Sequence, residues 1–289
     1  MSNLPQILAY GVILGVFYGL VTIGLSLLFG VMRYLNIAHG SFMIIGGYAC
    51  YWLFTLWGLD PVLSIPLVMV LMFLVGILLY RLLFSTLSKV SEERRINSSL
   101  IMAFGLILIL DNSAIALWTT NTKFLRTSYV DKTFDVFGVL IPLTGLIIMG
   151  VTILAILGLY LFLSRTYLGK SIRAAAQDWE AASLLGVNID RTYMICCGIS
   201  IALAGLAGTC FTLWYPLGPT YGMPWVTYAM VVMVLAGMGN IKEVFIAGLI
   251  IAIVEQLSSV VIGPQYRGIA SLGMFLLILV FRPQGLFKK

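Results

Sequence analysis

The sequence predicts an all-α membrane protein, a polytopic bundle of about nine transmembrane helices, each needing about 20 apolar residues. Hydrophobic residues make up 61% of the 289 positions and charged residues only 10%, whereas soluble domains are about half apolar and about a quarter charged. The mean hydropathy is +1.06. A soluble fold of this size could not bury so much apolar surface. This excludes a soluble enzyme, a nucleic-acid-binding domain and a disordered chain.

The apolar windows follow one another along the whole chain, so residues 1–289 are predicted to form a single transmembrane domain. A spanning helix needs about 20 mostly apolar residues. The second, seventh and ninth windows are short, and short segments can be tilted or re-entrant, which puts the prediction at eight to ten spans. The windows are Leu4–Val31, Ser41–Trp57, Pro61–Phe84, Ser98–Trp118, Ile141–Leu163, Tyr193–Leu213, Trp225–Met238, Val244–Ile262 and Ile269–Phe281.

Basic residues predict the orientation, because Lys and Arg collect in short cytoplasmic loops. With nine spans, four of the 17 Lys and Arg residues fall on one side: Lys123, Arg126, Lys132 and Arg267. The others fall on the opposite side: Arg33, Arg81, Lys89, Arg94, Arg95, Arg165, Lys170, Arg173, Arg191, Lys242, Arg282, Lys288 and Lys289. This predicts an outside N-terminus and a cytoplasmic C-terminus.

The longest polar segment predicted inside is 164–191, and it carries the clearest functional signal. Gly169-Lys170-Ser171 imitates the end of a phosphate-binding loop, but position 164 is Ser where that loop needs Gly, and a transmembrane helix precedes it instead of a strand. Nucleotide binding by this chain is therefore rejected.

Within this segment a short helix is predicted over Trp179–Leu185. Asp178 is suited to cap its first N–H groups, and Glu180 lies in the first turn, where the helix dipole stabilises an anion. Gly186 fits a left-handed C-cap. Two readings stay open. Ala181 and Ala182 would make a narrow surface that a partner protein can approach closely, or the helix is an amphipathic loop resting on the bilayer with Trp179 as anchor.

The segment resembles the EAA motif of permease subunits of bacterial ABC importers, through Glu180-Ala181-Ala182 followed by Gly186. Three stretches are similar to the branched-chain amino acid permeases of the LivH and LivM type, and to LivH-like members above all. They are Tyr167-Leu168-Gly169-Lys170 with Arg173-Ala174, Asp178, Leu185-Gly186-Val187-Asn188 and Asp190-Arg191; Leu35-Asn36-Ile37-Ala38-His39-Gly40; and Arg282-Pro283-Gln284-Gly285-Leu286-Phe287.

The resemblance implies a permease that moves a solute across the bacterial inner membrane by alternating access, with 164–191 as the loop that couples it to ATP. It implies two separate ATPase subunits that bind ATP and Mg, a second permease and a periplasmic or lipid-anchored binding protein. The implied solutes are branched-chain amino acids first, and urea or short amides second. No cofactor and no nucleic acid is expected for this chain, and membrane lipid surrounds it.

His39 is the single histidine, in a predicted break between two spans on the cytoplasmic side. One interpretation is a hydrogen-bonded structural residue. The alternative is that Asn36, His39, Gly40 and Ser41 line the translocation pathway, where a broken helix exposes backbone groups to a polar solute.

Two acids, Asp111 and Glu255, lie deep in predicted spans, where a charge is costly and usually faces a cavity or a partner. Both the pathway reading and a structural reading, with the acid hydrogen-bonded in place, stay open. The resemblance leads us to expect Gln at position 111, so Asp111 departs from the family pattern. The polar neighbours that we assign to the pathway with Glu255 are Asn112, Ser113 and Ser258.

A second function class remains open: a stand-alone secondary transporter or exporter would use Asp111, Glu255 and His39 as ion-coupling sites. An intramembrane enzyme is disfavoured, because the sequence has neither a nucleophile–base arrangement nor a metal-ligand cluster, and its four cysteines lie within apolar windows. No catalytic residue is assigned.

Overall fold

The computed structural model describes residues 4–136, 138–241, 243–282 and 285–287. They form a helical bundle with one small hairpin. The α-helices are α1 (Leu4–Met32), α2 (His39–Trp57), α3 (Pro61–Leu82), α4 (Glu92–Trp118), α5 (Leu143–Arg165), α6 (Tyr167–Gln177), α7 (Trp179–Leu184), α8 (Ile189–Thr212), α9 (Gly222–Ala236), α10 (Val244–Val261) and α11 (Arg267–Phe281); the strands are β1 (Thr133–Val136) and β2 (Val139–Pro142).

Helices α1 and α8 form the centre of the bundle and are buried over most of their length. α10 packs along α1, while α2 and α3 pack along α8. Small residues allow the close approach: Gly46 of α2 lies against Gly205 of α8, where an added Cβ would come within 2.5 Å of the Gly205 backbone.

All nine predicted windows fall on helices. Seven helical segments are long and apolar enough to cross a membrane, namely α1, α3, α4, α5, α8, α10 and Pro264–Phe281, which joins a short 3₁₀ turn to α11. The protein is thus a multi-pass membrane protein. α9 has only 15 residues and α2 is not among the seven, so the count of nine stays a prediction, as does the orientation.

Helix α2 begins in the interior of the bundle, whereas the sequence predicts only a break on the cytoplasmic side. Nε2 of His39 lies 3.1 Å from the carbonyl oxygen of Val21, and Val21 is about 16 Å from the end of α1 at 1.5 Å per residue. The chain therefore turns back from Met32 toward mid-bilayer before α2 starts.

Helix α9 also begins at this depth, because its first residue, Gly222, packs on Gly40 at the start of α2. A Cβ on Gly222 would lie 2.7 Å from the backbone nitrogen of Ser41. The two short helices thus start side by side, and each runs from there toward one end of the bundle.

One end of the bundle carries the residues predicted to be cytoplasmic. Arg33 after α1 forms an ion pair with Glu92 of α4 at 3.4 Å, and the Tyr80 hydroxyl of α3 donates to Asp190 of α8 at 2.6 Å. The exposed Arg33–Glu92 pair contributes at most about 1 kcal/mol. Lys242, Pro283, Gln284, Lys288 and Lys289, which entered the charge count or the terminal motif, lie outside the described residues.

The opposite end carries the hairpin and the 119–132 segment. β1 and β2 pair antiparallel, with Val136 opposite Val139. The Tyr129 hydroxyl donates to Asp60 at 3.1 Å, and burial, followed by the nearby Asp60 carboxylate, raises the pKa of Tyr129. These contacts tie the segment to the start of α3.

Helix α6 is an element that the sequence analysis did not predict. Thr166 caps it by accepting a hydrogen bond from the Gly169 backbone at 2.9 Å, and its buried residues include Ile172 and Ala175, three positions apart. Both the cap and this spacing were readable signals. α6 packs against α1, α5 and α8 and so places α7 at the end of the bundle.

Candidate functional site

The short helix α7 has the predicted caps at both ends. Oδ1 of Asp178 accepts hydrogen bonds from the backbone N–H groups of Glu180 and Ala181 at 2.9 and 3.0 Å. Gly186 has a φ of +85°, and its N–H donates to the Ser183 carbonyl at 3.0 Å. The Asp178 cap alone contributes about 1 kcal/mol. This six-residue helix is therefore held in shape before any partner binds.

The exposed surface of α7 differs from the predicted one. Ala182 is only 4% exposed and faces the bundle, so it does not contribute to an outer docking surface, and only Ala181 does. Leu184 and Leu185 instead project from the C-terminal end of α7 with 90% and 86% of their surfaces exposed. Two adjacent leucines this exposed at a polar end of the bundle form a small apolar knob, which the sequence analysis missed.

Trp179 at the start of α7 is fixed to α4 by a cation–π contact. The guanidinium carbon of Arg95 lies 4.7 Å from the centre of the Trp179 ring, a contact that contributes about 0.5 to 2 kcal/mol depending on desolvation. Arg95 is 3% exposed, and its Nε donates to the Val90 carbonyl at 2.9 Å. Nothing in the local pattern around either residue indicated this pair, since 84 positions separate them in the sequence.

The start of α2 brings Asn36, His39 and Gly40 together in the interior. Both Asn36 and His39 are 0% exposed. The Asn36 amide nitrogen and oxygen, and Nδ1 of His39, bond to no other described group. Since a carbonyl only accepts, His39 Nε2 carries the proton that bonds Val21. Buried unpaired polar atoms are rare in proteins, and three of them lie together at this junction.

Ser41 connects the start of α2 to α4. Its hydroxyl donates to Oδ1 of Asp111 at 2.7 Å, so these two predicted residues do meet. Asn112 and Ser113 do not join them: both are exposed on the outer face of α4, and the Asn112 amide donates to the Leu108 carbonyl of its own helix at 2.7 Å. Their side chains therefore do not reach the interior junction with Ser41, because consecutive helical positions point in different directions, and their place in the pathway stays a prediction.

Glu255 lies in a second interior cluster between α1 and α10. The Tyr18 hydroxyl donates to Oε2 of Glu255 at 2.6 Å, and the Tyr18 ring stacks on Tyr228 of α9 with a centroid distance of 5.1 Å. Ser258 bonds the Glu255 carbonyl of its own helix at 2.9 Å. Tyr18 is one turn from Val21 on α1, so the Glu255 cluster and the His39 junction approach the same stretch of α1.

An apolar cavity of about 800 Å³ lies between α3, α5 and α8. Its lining includes Ile65, Met69, Leu154 and Leu206 and holds no polar side chain. A polar solute would find no hydrogen-bonding side chain there, so this cavity is not a candidate route. No group of three His, Cys, Asp or Glu side chains among the described residues could hold a metal ion.

Residues 7–279 match the family described as "Branched-chain amino acid transport system / permease component". The chain belongs to this family. The match includes the start of α2, α7 and Glu255, and so covers all the sites above. The members are permease components, so the chain is a transport subunit of the bacterial inner membrane and not an enzyme.

Relatives support the family over almost the full length. The branched-chain amino acid permease BraD of Pseudomonas aeruginosa is 29% identical over 98% of this chain and 95% of its own. LivH of Salmonella typhimurium is 28% identical over 96% and 94%. LivM of the same organism is 26% identical over 58% of this chain and 38% of its own. No solved structure matches. The LivH-like resemblance seen in the motifs is confirmed.

Proposed function

We propose that this permease is the translocating subunit of an ATP-driven importer for leucine, isoleucine and valine, with urea and short amides as the next class. The observation that carries the ATP-driven part is the preformed α7 with its apolar knob. The solute class rests on the names of the relatives, which are branched-chain amino acid permeases.

Helix α7 is suited to dock into an ATPase subunit. A helix of six residues is unstable alone in water, but Asp178 and Gly186 hold it in shape, so docking does not have to order it. Leu184 and Leu185 are exposed apolar side chains, and their burial in a pocket of the partner would stabilise the docked state. Glu180 and Ala181 lie on the exposed side of the same helix.

The start of α2 is suited to contact a zwitterion or a compact amide on its way through. Asn36 offers both a donor and an acceptor, and His39 Nδ1 offers an acceptor. Gly40 has no side chain at the start of α2 and is packed by the Gly222 backbone, and Ser41 and Asp111 follow along α2 and α4. Contacts of this kind are few and weak, which lets a solute leave again.

The assembly that we infer contains this permease, a second permease, two ATPase subunits and a binding protein in the periplasm or anchored to lipid. LivM-like chains are the candidates for the second permease, since LivM shares part of its sequence with this chain. ATP and Mg are bound by the ATPase subunits, and this chain carries no cofactor.

The test is uptake of radiolabelled leucine by vesicles that contain the complete complex, with ATP inside the compartment that holds the ATPase subunits. Urea and a sugar are measured in parallel. ATP-dependent accumulation of leucine with no accumulation of the sugar is the expected result. Accumulation of the sugar alone would exclude the proposed solutes.

The same vesicles distinguish the importer from a secondary transporter. The permease without ATPase subunits is given a proton or sodium gradient and no ATP. The importer predicts no accumulation under these conditions. Accumulation driven by the gradient would favour the secondary transporter, with Asp111, Glu255 and His39 as its ion sites.

A further inference from the structure

Helix α4 touches the bundle through one stripe at four-residue spacing. Arg95, Ser99, Ala103 and Ile107 are buried along it, and the half-buried Asp111 continues the same spacing. Residues four apart lie on one side of a helix. The other sides of α4 are largely exposed, in contrast to the buried α1 and α8. α4 can therefore shift as a unit without opening the core.

The polar members of the stripe each hold a different part of the molecule. Arg95 holds Trp179 of α7, as described above. Four residues further on, the Ser99 hydroxyl accepts a hydrogen bond from the backbone N–H of Leu35 at 2.9 Å. Leu35 directly precedes Asn36, so this bond fixes the returning chain between α1 and α2.

The third polar contact is at Asp111, which accepts from Ser41 in the first turn of α2. From Arg95 to Asp111 the helix rises about 24 Å at 1.5 Å per residue. A single helix thus connects the docking helix at one end of the bundle with both sides of the buried junction at Asn36 and His39.

We propose that α4 transmits the movement of α7 to the buried start of α2, and that Arg95 is the positioning residue that keeps Trp179 attached to α4. This inference rests on the proposed docking of α7 to an ATPase. When ATP binding displaces α7, Trp179 moves Arg95, and α4 carries Leu35 and Ser41 with it. The junction is then rearranged in step with ATP binding.

The contact needs the planar guanidinium of arginine and not only its charge. A guanidinium stacks on an aromatic face, whereas the compact, strongly hydrated ammonium of lysine does so less well. Arg95→Ala and Arg95→Lys are therefore both informative. Arg94 is the matched control, because it is the adjacent residue with the same charge and its side chain is exposed.

The first measurement is the number of leucine molecules taken up per ATP hydrolysed by the assembled complex. Arg95→Ala should lower this ratio about fivefold or more, the lower range of coupling effects between sites. Arg95→Lys should recover it only in part, and Arg94→Ala should leave it unchanged. An unchanged ratio in Arg95→Ala would overturn the inference.

The second measurement follows α4 directly. Spin labels on Ile109→Cys of α4 and Leu63→Cys of α3, two exposed positions, report the distance between the helices; the four native cysteines are buried. Addition of ATP, Mg and vanadate should change this distance in the otherwise unmodified complex. This response to nucleotide should disappear in the Arg95→Ala complex. A general loss of stability would not by itself remove the response from an assembled complex.

The two proposals fail in different ways. If Gly186→Val, which alters α7 itself, abolishes the distance change while Arg95→Ala retains it, the role of Arg95 is wrong and docking of α7 stands. If the unmodified complex moves no solute with ATP, the proposed function is wrong. A distance that does not respond to nucleotide in an actively transporting complex would overturn the role of α4 alone.

Discussion

The Tyr18 hydroxyl donates a 2.6 Å hydrogen bond to Oε2 of Glu255 and thereby joins α1 to α10 in the interior of the bundle. A short bond of this kind explains how an acid is tolerated at membrane depth, where an isolated charge is costly. The neighbouring Tyr228 ring stacks on Tyr18 and holds the phenol in place.

The Glu255–Tyr18 pair leads to the first prediction. Glu255→Gln keeps the size of the side chain and its ability to accept from Tyr18 while it removes the charge. Because the importer takes its energy from ATP, uptake should persist over a range of pH, at a lower rate. The measurement is ATP-driven leucine uptake as a function of pH.

Tyr18→Phe is the companion variant, because it removes the hydrogen bond that Glu255→Gln keeps, while it retains the carboxyl group. Leaving a buried acceptor without its donor costs about 1 to 3 kcal/mol, so this variant should be less stable to heat than Glu255→Gln. Complete loss of uptake in an assembled Glu255→Gln complex, together with transport on a proton gradient alone, would contradict the prediction.

The second prediction concerns Gly186, which follows the C-terminal end of α7. Its φ of +85° is a conformation that costs an L-residue about 1 to 2 kcal/mol. Gly186→Val should therefore distort the end of α7, and ATP-driven uptake should fall sharply although the protein reaches the membrane. Uptake and the amount of permease in the membrane are measured on the same cells.

Gly138 in the hairpin provides the matched control. It has a φ of +81°, and an added Cβ there, as at Gly186, would meet no atom within 4 Å. Gly138→Val thus introduces the same strain at the opposite end of the bundle. Equal losses of uptake in the two variants would show that strain, and not docking, is responsible.

The features of α7 could be predicted from sequence because they are local. Asp178 and Gly186 act on residues within four positions of themselves, so their identity and spacing suffice. The depth of His39 could not be predicted in this way. This depth depends on Gly24 and Gly222, which are distant from α2 in the sequence and pack against its first residues without a side chain. The residues next to His39 in the sequence carry no signal of these contacts. Leu35–Gly40 therefore looked like an ordinary surface break.

Contacts on α4 illustrate a second limit of sequence reasoning. Asp111, Asn112 and Ser113 are adjacent and polar, so they were assigned to one pathway. Only Asp111 lies on the stripe that contacts the bundle, because the direction of a side chain changes by about 100° per helical residue. An amphipathic pattern is hard to read in a membrane helix, where the lipid-facing and the buried sides are both apolar.

The third prediction concerns the apolar knob of α7. Replacing Leu184 and Leu185 together by Asp should abolish binding of the ATPase subunits, because two charges would have to enter an apolar pocket. Co-purification of the ATPase with tagged permease is the measurement. Leu140→Asp, an exposed leucine in the hairpin, is the control and should co-purify normally. Equal retention of the ATPase by both variants would exclude the knob from docking.

The fourth prediction is the orientation, N-terminus outside and C-terminus inside. Ser128 before β1 and Gln177 at the end of α6 are exposed positions at the two ends of the bundle. In intact cells an impermeant thiol reagent should label Ser128→Cys and not Gln177→Cys. After the membrane is opened, both should react. Labelling of Gln177→Cys alone in intact cells would reverse the topology.

The last prediction separates a structural role of Asn36 from a role in transport. Its buried amide bonds to no other described group, and a buried polar group without a partner costs about 1 to 3 kcal/mol. Asn36→Leu removes that cost at similar size, so the variant should be at least as stable to heat as the parent. If Asn36 contacts the solute, leucine uptake should nevertheless fall.

Thr152→Val is the matched control, since the Thr152 hydroxyl on α5 is equally buried and unpaired. Thr152→Val should gain as much stability as Asn36→Leu and should show no loss of uptake. Unchanged uptake in Asn36→Leu would remove Asn36 from the pathway, because this variant would then behave like Thr152→Val, with altered stability and normal transport.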